Sequence, residues 1–533
     1  MTSQPIGYTR ELSRRAFLTT ASGVLVGIST LGHVGLSAAA QKHPGRSGTL
    51  HYSARGDIAG LDAHKHNLNH AIDATAAMYT GLADLNLKGD LIPGIAESWE
   101  PNKDLTSWVF RLRKGVLFHN GREVDAEAVK LNIERIKDPA IGGDWERGAI
   151  ANIAGVEVID KYTVRINARE ADAGIPVAVM HYPTRMMAPD AFDTASEHPI
   201  GTGPFKFVAW SRWNEARMAR FENYWETDAE GHSLPYLDEI ISKPKKEDSV
   251  RLTALRTSQV QLISNMAQAD VEIFKKDHGD AYNTWTWHYG GRFLVCNFRR
   301  GPFQDKRLRT AAAHAINREA IHYTVYYGQG AMANQPYPEG TRWHLEGIHS
   351  LEYDPDRAKA LVKEARAVGT EIKLVSFANI SSSHQIGQVV EDSWRSVGFK
   401  VTHEILDTVP FRTARDKGAF DGLIQGNTYR YDPDAFFGRN LHSKSQYAKV
   451  LSGWQNARYD QLVEEAKRSL DPERRKALYT EAWNIVNVEL PHFYLHEEVY
   501  TSAAARALRG YEPGRMGAVH YQGGGLRAAY MAT

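Results

Sequence analysis

The sequence predicts an α/β protein built from more than one lobe. Strand-like runs alternate with helix-period segments along the whole chain, which favours mixed layers over an all-helical or all-β protein. The chain has 533 residues, too many for a single hydrophobic core. Its one cysteine, Cys296, rules out an intramolecular disulfide or a cysteine-rich zinc cluster, so apolar burial has to hold the lobes together.

At the N-terminus, Ser13-Arg14-Arg15-Ala16-Phe17-Leu18 precedes a mildly apolar stretch to Leu36 and the small-residue run Ala38-Ala39-Ala40. Paired arginines, an apolar segment and an A-x-A site, in that order, read as a twin-arginine export signal over residues 1–40. Thr19 stands where that consensus often has lysine. An uncut membrane anchor is the competing reading, but Gly23, Gly27, Gly32, His33 and Gly35 dilute the apolar segment it would need. The expectation is a periplasmic protein that diffuses freely, because no cysteine near the cleavage site offers a lipid attachment point.

Charge is balanced, with 64 Lys+Arg against 63 Asp+Glu, and a leader with three arginines and one glutamate leaves that balance intact. This gives no electrostatic case for nucleic acid or a strongly charged membrane surface. The 12 Trp and 24 Tyr suit a large core and also stacking on a buried small ligand.

In chain order, Leu50–Ser53 reads as an opening strand. A Gly/His/Asn-rich loop from Arg55 leads into a helix whose apolar pattern includes Ala71, Ala74, Ala77 and Met78. Trp108–Leu112 alternates as a half-buried strand turned by Lys114-Gly115. Asp125 caps a helix through Ala128, Leu131, Ile133 and Ile136 that ends before Pro139. Gly201-Thr202-Gly203-Pro204 reads as a tight turn with unusual glycine dihedrals. Phe293–Phe298 is strand-like, and Cys296 within it reads as a small buried residue before it reads as a nucleophile. Arg307–Val325, with Asp305 as N-cap, Pro355–Ala367, His384–Val397 and Tyr459–Leu470 have helical spacing. Glu371–Phe377 and Lys400–Ile405 read as strands.

Taken in order, several motifs resemble a known family. They are Tyr79-Thr80-Gly81-Leu82; Leu91-Ile92-Pro93-Gly94-Ile95-Ala96-Glu97-Ser98-Trp99-Glu100; Phe110-Arg111-Leu112-Arg113-Lys114-Gly115-Val116-Leu117-Phe118-His119-Asn120-Gly121; Ile200–Phe205; Glu222-Asn223-Tyr224-Trp225; Phe303–Arg309; and Ala315–Ala320. The chain resembles the extracytoplasmic solute-binding proteins of the oligopeptide, dipeptide and nickel transporters, family 5, over nearly all of its length past residue 40. The resemblance implies a periplasmic-binding-protein-like α/β fold with two main lobes, a hinge and an inserted third lobe. The expected boundaries are 46–84, 200–290 and 498–533 for lobe I, 85–199 for the inserted lobe and 291–497 for lobe II, with crossings near Gly290-Gly291-Arg292 and Tyr494–Thr501. The implied partners are a small solute (a peptide, an opine-like conjugate or a metal chelate) and an ABC permease with its ATPase; the protein itself is expected to be a monomer without a cofactor.

The resemblance also frames the ligand. In peptide-binding members, an aspartate just ahead of an acidic-proline pair anchors the ligand's α-amino group; here the segment is Tyr429-Arg430-Tyr431-Asp432-Pro433-Asp434, and Tyr429 holds that position. A desolvated ammonium needs a charge partner that a phenol does not supply, so Asp432 or Asp434 would have to reach it. Arg430 suits an anionic solute, since a guanidinium binds carboxylate or phosphate bidentately. It would equally pair with Asp432 or Asp434, or face solvent. Ligand candidates are Tyr429, Arg430, Tyr431, Asp432, Arg292, Tyr289 and His66, with Trp287 and the loop from Arg55 nearby. Nickel-binding members hold a metal chelate between aromatic and basic side chains, and His64, His66, His70 and His442 offer imidazoles for that alternative.

A secreted hydrolase is the competing class. The chain lacks G-x-S-x-G, H-E-x-x-H, a phosphate-binding G-x-x-x-x-G-K-[ST] and C-x-x-C; Ser242-Lys243-Pro244-Lys245 fits S-x-x-K only formally. The expectation is a binding protein without catalytic residues.

Overall fold

The computed structural model describes residues 43, 45–65, 76–87, 89–514 and 525–532. The export-signal segment, His66 and His70 lie outside the described residues. Of the helix expected to carry Ala71 to Met78, only the 3-10 turn Ala76–Met78 is described. No helix among the described residues is long and apolar enough to cross a membrane.

Eleven strands form one continuous mixed sheet. At its centre, Tyr282–Cys296 and His492–Ala505 run antiparallel along nearly their whole length. Gly422–Thr428 pairs with the Gly290 to Cys296 half of the first strand, and Glu371–Phe377 and Lys400–Leu406 follow outward. At the other end of the pair, Leu262–Ile263 adds to Ala503 and Ala504 of the second strand. Thr49–Ser53, Glu239–Ser242, Glu215–Arg220 and Phe205–Ser211 complete that arm.

Each arm contains parallel steps, and helices make the crossovers that parallel pairing requires. Helix Ser381–Ser396 joins Glu371–Phe377 to Lys400–Leu406, and helix Thr408–Lys417 returns the chain to Gly422–Thr428 on the other side of Glu371–Phe377. The first helix buries Ile386, Val390 and Trp394 at four-residue spacing, the stripe a helix needs to lie on a sheet. Trp394 is fully buried and donates its indole N–H to the Ala312 carbonyl at 3.0 Å. Burying such side chains contributes roughly 1.5–3 kcal/mol each.

A separate four-stranded antiparallel sheet has the order Ala96–Pro101, Ser107–Leu112, Thr163–Ala168, Ile153–Asp160. Trp108, Phe110 and Leu112 point inward at the expected alternation. Helix Ala126–Lys137 covers this sheet, with Asp125 accepting from the Ala128 N–H at 2.8 Å. Ile133 and Ile136 share its core with Val164 and Ile166.

Two local expectations change. The helix read through Val325 breaks into Lys306–Ala315 and Arg318–Thr324. Ile316 turns extended, and the Asn317 side chain caps the second helix by accepting from the Ala320 N–H at 2.9 Å, so a capping residue overrides continuous periodicity. Gly201 and Gly203 do not have positive φ; a Cβ on them would lie 2.0 Å from the Met78 oxygen and 2.3 Å from the Ala77 oxygen. Close backbone approach, not turn conformation, requires glycine there.

The central strand pair is not regular. Register shifts occur between His288 and Gly290 and between Arg292 and Phe293. Tyr289 sits in the first shift and presents its carbonyl to the Tyr429 N–H at 2.9 Å. Gly290 lies so near strand Gly422–Thr428 that a Cβ would stand 1.8 Å from the Asn427 oxygen. A bulge of this kind re-aims the side chains beside it.

Candidate ligand site at the strand crossing

The bulged crossing gathers aromatic and charged groups. The Tyr289 ring stacks on Tyr500 with centroids 4.2 Å apart, and Trp287 meets Tyr500 edge-on at 5.2 Å. Arg55 donates to the Tyr500 hydroxyl at 2.9 Å and lies over its ring. Trp287 is anchored by its N–H to Ser502 Oγ at 3.1 Å, and Ser502 donates on to the Ser264 carbonyl.

Arg292, on the same strand, is buried and pairs with Glu498 at 2.8 Å. Tyr326 and Ser382 also donate to Glu498 Oε1, at 3.0 and 2.7 Å. Burial works against the Arg292 charge, and Glu498 more than offsets it, holding the guanidinium above its ordinary range. A charge this deep stays ionised only because its partner is fixed and satisfied by other donors.

Beside this pair lies a cavity of about 310 Å³. Phe377 ends one parallel strand, Thr428 ends another, and Thr408 opens the helix after the third; all three line it. It thus lies outside the carboxyl ends of strands whose crossovers go to opposite sides, the place where open α/β sheets bind ligands. Arg292, Arg412, Arg415, Arg430 and Arg439 line it, and no acidic residue does. Arg439 and Arg415 lie over the Tyr447 ring, at 3.8 and 5.2 Å.

The candidates from residues 429 to 434 separate. Arg430 lines the cavity with Arg292. Tyr429 is buried against Tyr337, ring to ring at 5.3 Å, and burial pushes its phenol well above the ordinary range. Tyr431 turns toward His181, 5.8 Å away, and its carbonyl accepts from Trp343 at 3.0 Å. Asp432 is buried in an ion pair with Arg475 at 2.8 Å and accepts from the Asp434 N–H. Asp434 is pushed up to about 7, chiefly by burial, with Asp172 and Asp432 adding and Lys467 opposing. Tyr289 borders the crossing through Tyr500, and His66 lies outside the described residues.

The imidazoles do not converge. His64 is fully buried in a network with Arg135 and Asp62, and burial lowers it to about 4. His442 lies near Asp460 and Glu464 and receives the Lys444 N–H. Among the described residues, one group could supply three metal ligands, Asp228, Glu230 and His232; it belongs to a tight turn and does not line the cavity. Burial pushes the Cys296 thiol up to about 12, so it is a core residue and a poor nucleophile.

Sequence reading missed Arg412, Arg415 and Arg439. Arg412 and Arg415 sit one turn apart in the helix that follows a parallel strand, a placement visible only once the strand order is known.

Comparison with known proteins gives a consistent result. The sequence model for bacterial extracellular solute-binding proteins, family 5 Middle, matches residues 90–448. Di/tripeptide-binding protein 1 of Pseudomonas aeruginosa (strain UCBPP-PA14) is 28% identical over 476 residues, covering 83% of this chain and 87% of that protein. The periplasmic binding protein DppA of Helicobacter pylori, solved with the peptide STSA, superposes with a TM-score of 0.76 at 22% identity, over 92% of this chain and 99% of that one. NikA of Brucella suis, solved with Fe(III)-EDTA, gives a TM-score of 0.77 at 24% identity, over 88% and 97%.

Proposed function

Because the chain belongs to the bacterial extracellular solute-binding proteins of family 5, we propose that it captures a peptide or peptide-like solute by hinge closure and delivers it to the permease and ATPase of an importer. The observation that carries this reading is the cavity at the carboxyl ends of the parallel strands, next to the crossing where two strands join the arms of the sheet. Two continuous strands permit bending at a bulge, and closure around a solute would exclude water and strengthen polar contacts. The lobe boundaries given above follow from this reading: residues 291–497 would move against 46–84, 200–290 and 498–533, with 85–199 inserted. Binding would be non-covalent, by a monomer that needs no cofactor. The twin-arginine leader, cut after Ala40, would place it in the periplasm.

An anionic metal chelate is a second reading, since arginines and four aromatic rings line the cavity while no histidine or carboxylate does. A hydrolase has less support, because the family match runs over residues 90–448 to solute-binding proteins and the chain carries none of the hydrolase motifs named above. Native mass spectrometry on protein purified without denaturation tests these readings. A non-covalent adduct that disappears on unfolding, with matching thermal stabilisation by one ligand class, is the expected result. Steady release of altered product from a bound ligand would overturn the binding reading.

A further inference from the structure

The charge around the cavity narrows the solute class. Five arginines line it without an acidic residue in the lining. Arg292 is paired with Glu498 at 2.8 Å and Arg415 with Asp416 at 2.8 Å, so neither charge is fully available to a ligand. Among the described residues, Arg412 forms no ion pair with a carboxylate, and the Arg439 guanidinium meets the Asn440 side-chain oxygen, at 3.3 Å, and the Tyr447 ring. Like charges gathered in a concave site repel one another and raise the local concentration of anions.

The backbone adds to this field. Helices Ser381–Ser396 and Thr408–Lys417 both begin at the cavity, where Ile380, Ser383 and Thr408 line it. Neither helix has a side-chain N-cap hydrogen bond. The positive end of each helix dipole favours negative charge, offset in part at the second helix by Asp407 at its N-cap. The positions that would answer a ligand ammonium are taken: Tyr429 carries no charge, and Asp432 is spent on Arg475.

We propose that the cavity takes the anionic end of a multiply charged solute, a group bearing two or more negative charges as carboxylates or as phosphate, and that Arg412 and Arg439 set this preference. The proposal rests on the solute-capture reading above and names its ligand class. A planar guanidinium binds either oxyanion through paired N–H donors. The aromatic face of Tyr447 holds Arg439 in place without neutralising it. A neutral dipeptide brings a single carboxylate and an ammonium, and the lining offers the ammonium no carboxylate.

The test is calorimetry on the mature protein with four probes: Glu-Glu, glucose 6-phosphate, Ala-Ala and Lys-Lys. At least one of the two anionic probes is expected to bind at least about tenfold more tightly than Ala-Ala, with affinity falling as salt is raised. Which of the two binds separates a carboxylate source from a phosphate source. Arg412→Gln and Arg439→Gln are exposed changes expected to keep the melting temperature and weaken the anionic probe about tenfold each. Equal affinity for Ala-Ala and the anionic probes, unchanged in both variants, would overturn the anion preference and leave solute capture standing. Absence of binding by all four probes, together with no adduct in native mass spectrometry, would overturn the capture reading and this proposal with it.

Discussion

Arg292 and Glu498 face each other at 2.8 Å from the two strands that join the arms of the sheet, both side chains almost fully buried. The pair ties the crossing strands at the bulge by charge as well as by the ladder. Tyr326 and Ser382 bring two more segments onto the same carboxylate. A buried pair is costly to break from one side, because the survivor remains desolvated.

Glu498→Gln is therefore expected to destabilise the protein by about 3–5 kcal/mol, read as a lower denaturant midpoint. The double variant Arg292→Met/Glu498→Leu should recover most of that loss, since no charge is stranded. A double variant as unstable as the single one would show that packing, not charge, dominates at the crossing.

Asp434 gives a pH dependence whose sign follows from its raised pKa. Its folded-state value of about 7 lies above the ordinary carboxylate value of about 3.9. Its contribution to stability is thus complete below about pH 4 and is lost as pH rises through the folded value. Asp434→Asn should match the parent near pH 4 and exceed it by up to about 4 kcal/mol near pH 8. Urea titrations at the two pH values check this; a variant less stable than the parent at the higher pH would contradict it.

Gly290→Ala places a methyl 1.8 Å from the Asn427 oxygen, and Gly290 cannot move aside because its strand is paired on both sides, with Thr428 and with Glu498. The expected cost is about 1–3 kcal/mol or more, together with reduced solute affinity because the bulge shifts. Thermal melts and calorimetry read the two effects separately.

Cys296 should resist alkylation by iodoacetamide in the native state and react at once in guanidinium, because the thiol is buried and pushed up to about 12. Rapid labelling of folded protein, followed by mass spectrometry, would show that the Leu294–Ile316 core opens locally.

Much of the architecture was legible in the residues. Glu371–Phe377 could be read to its ends, because alternation and β-branched content coincide with its flanking turns. Asp125 and Asp305 announced their helices by chemistry that acts within three residues. The break at Asn317 was harder, since apolar spacing runs through it and only the Asn side chain marks the cap. The site was least legible. Arg430 lies in a segment whose motif draws attention, but Arg412 and Arg439 meet it only through strand order and helix placement. Tyr429 and Tyr431 are neighbours of Arg430 in sequence yet turn to opposite surroundings, one into the core and one toward His181.

The central strand pair also constrains how the molecule is made. Trp287 and Ser502, bonded across it, are 215 residues apart, so Tyr282–Cys296 has one edge open until almost the entire polypeptide has emerged. Long-range pairing of this kind is slow, and an unpaired strand edge is a template for pairing with other molecules. A ribosome that stops before His492 therefore releases a chain whose most hydrogen-bonded strand lacks a neighbour, and such fragments belong to the insoluble fraction of a cell lysate, not to a pool of half-active receptors.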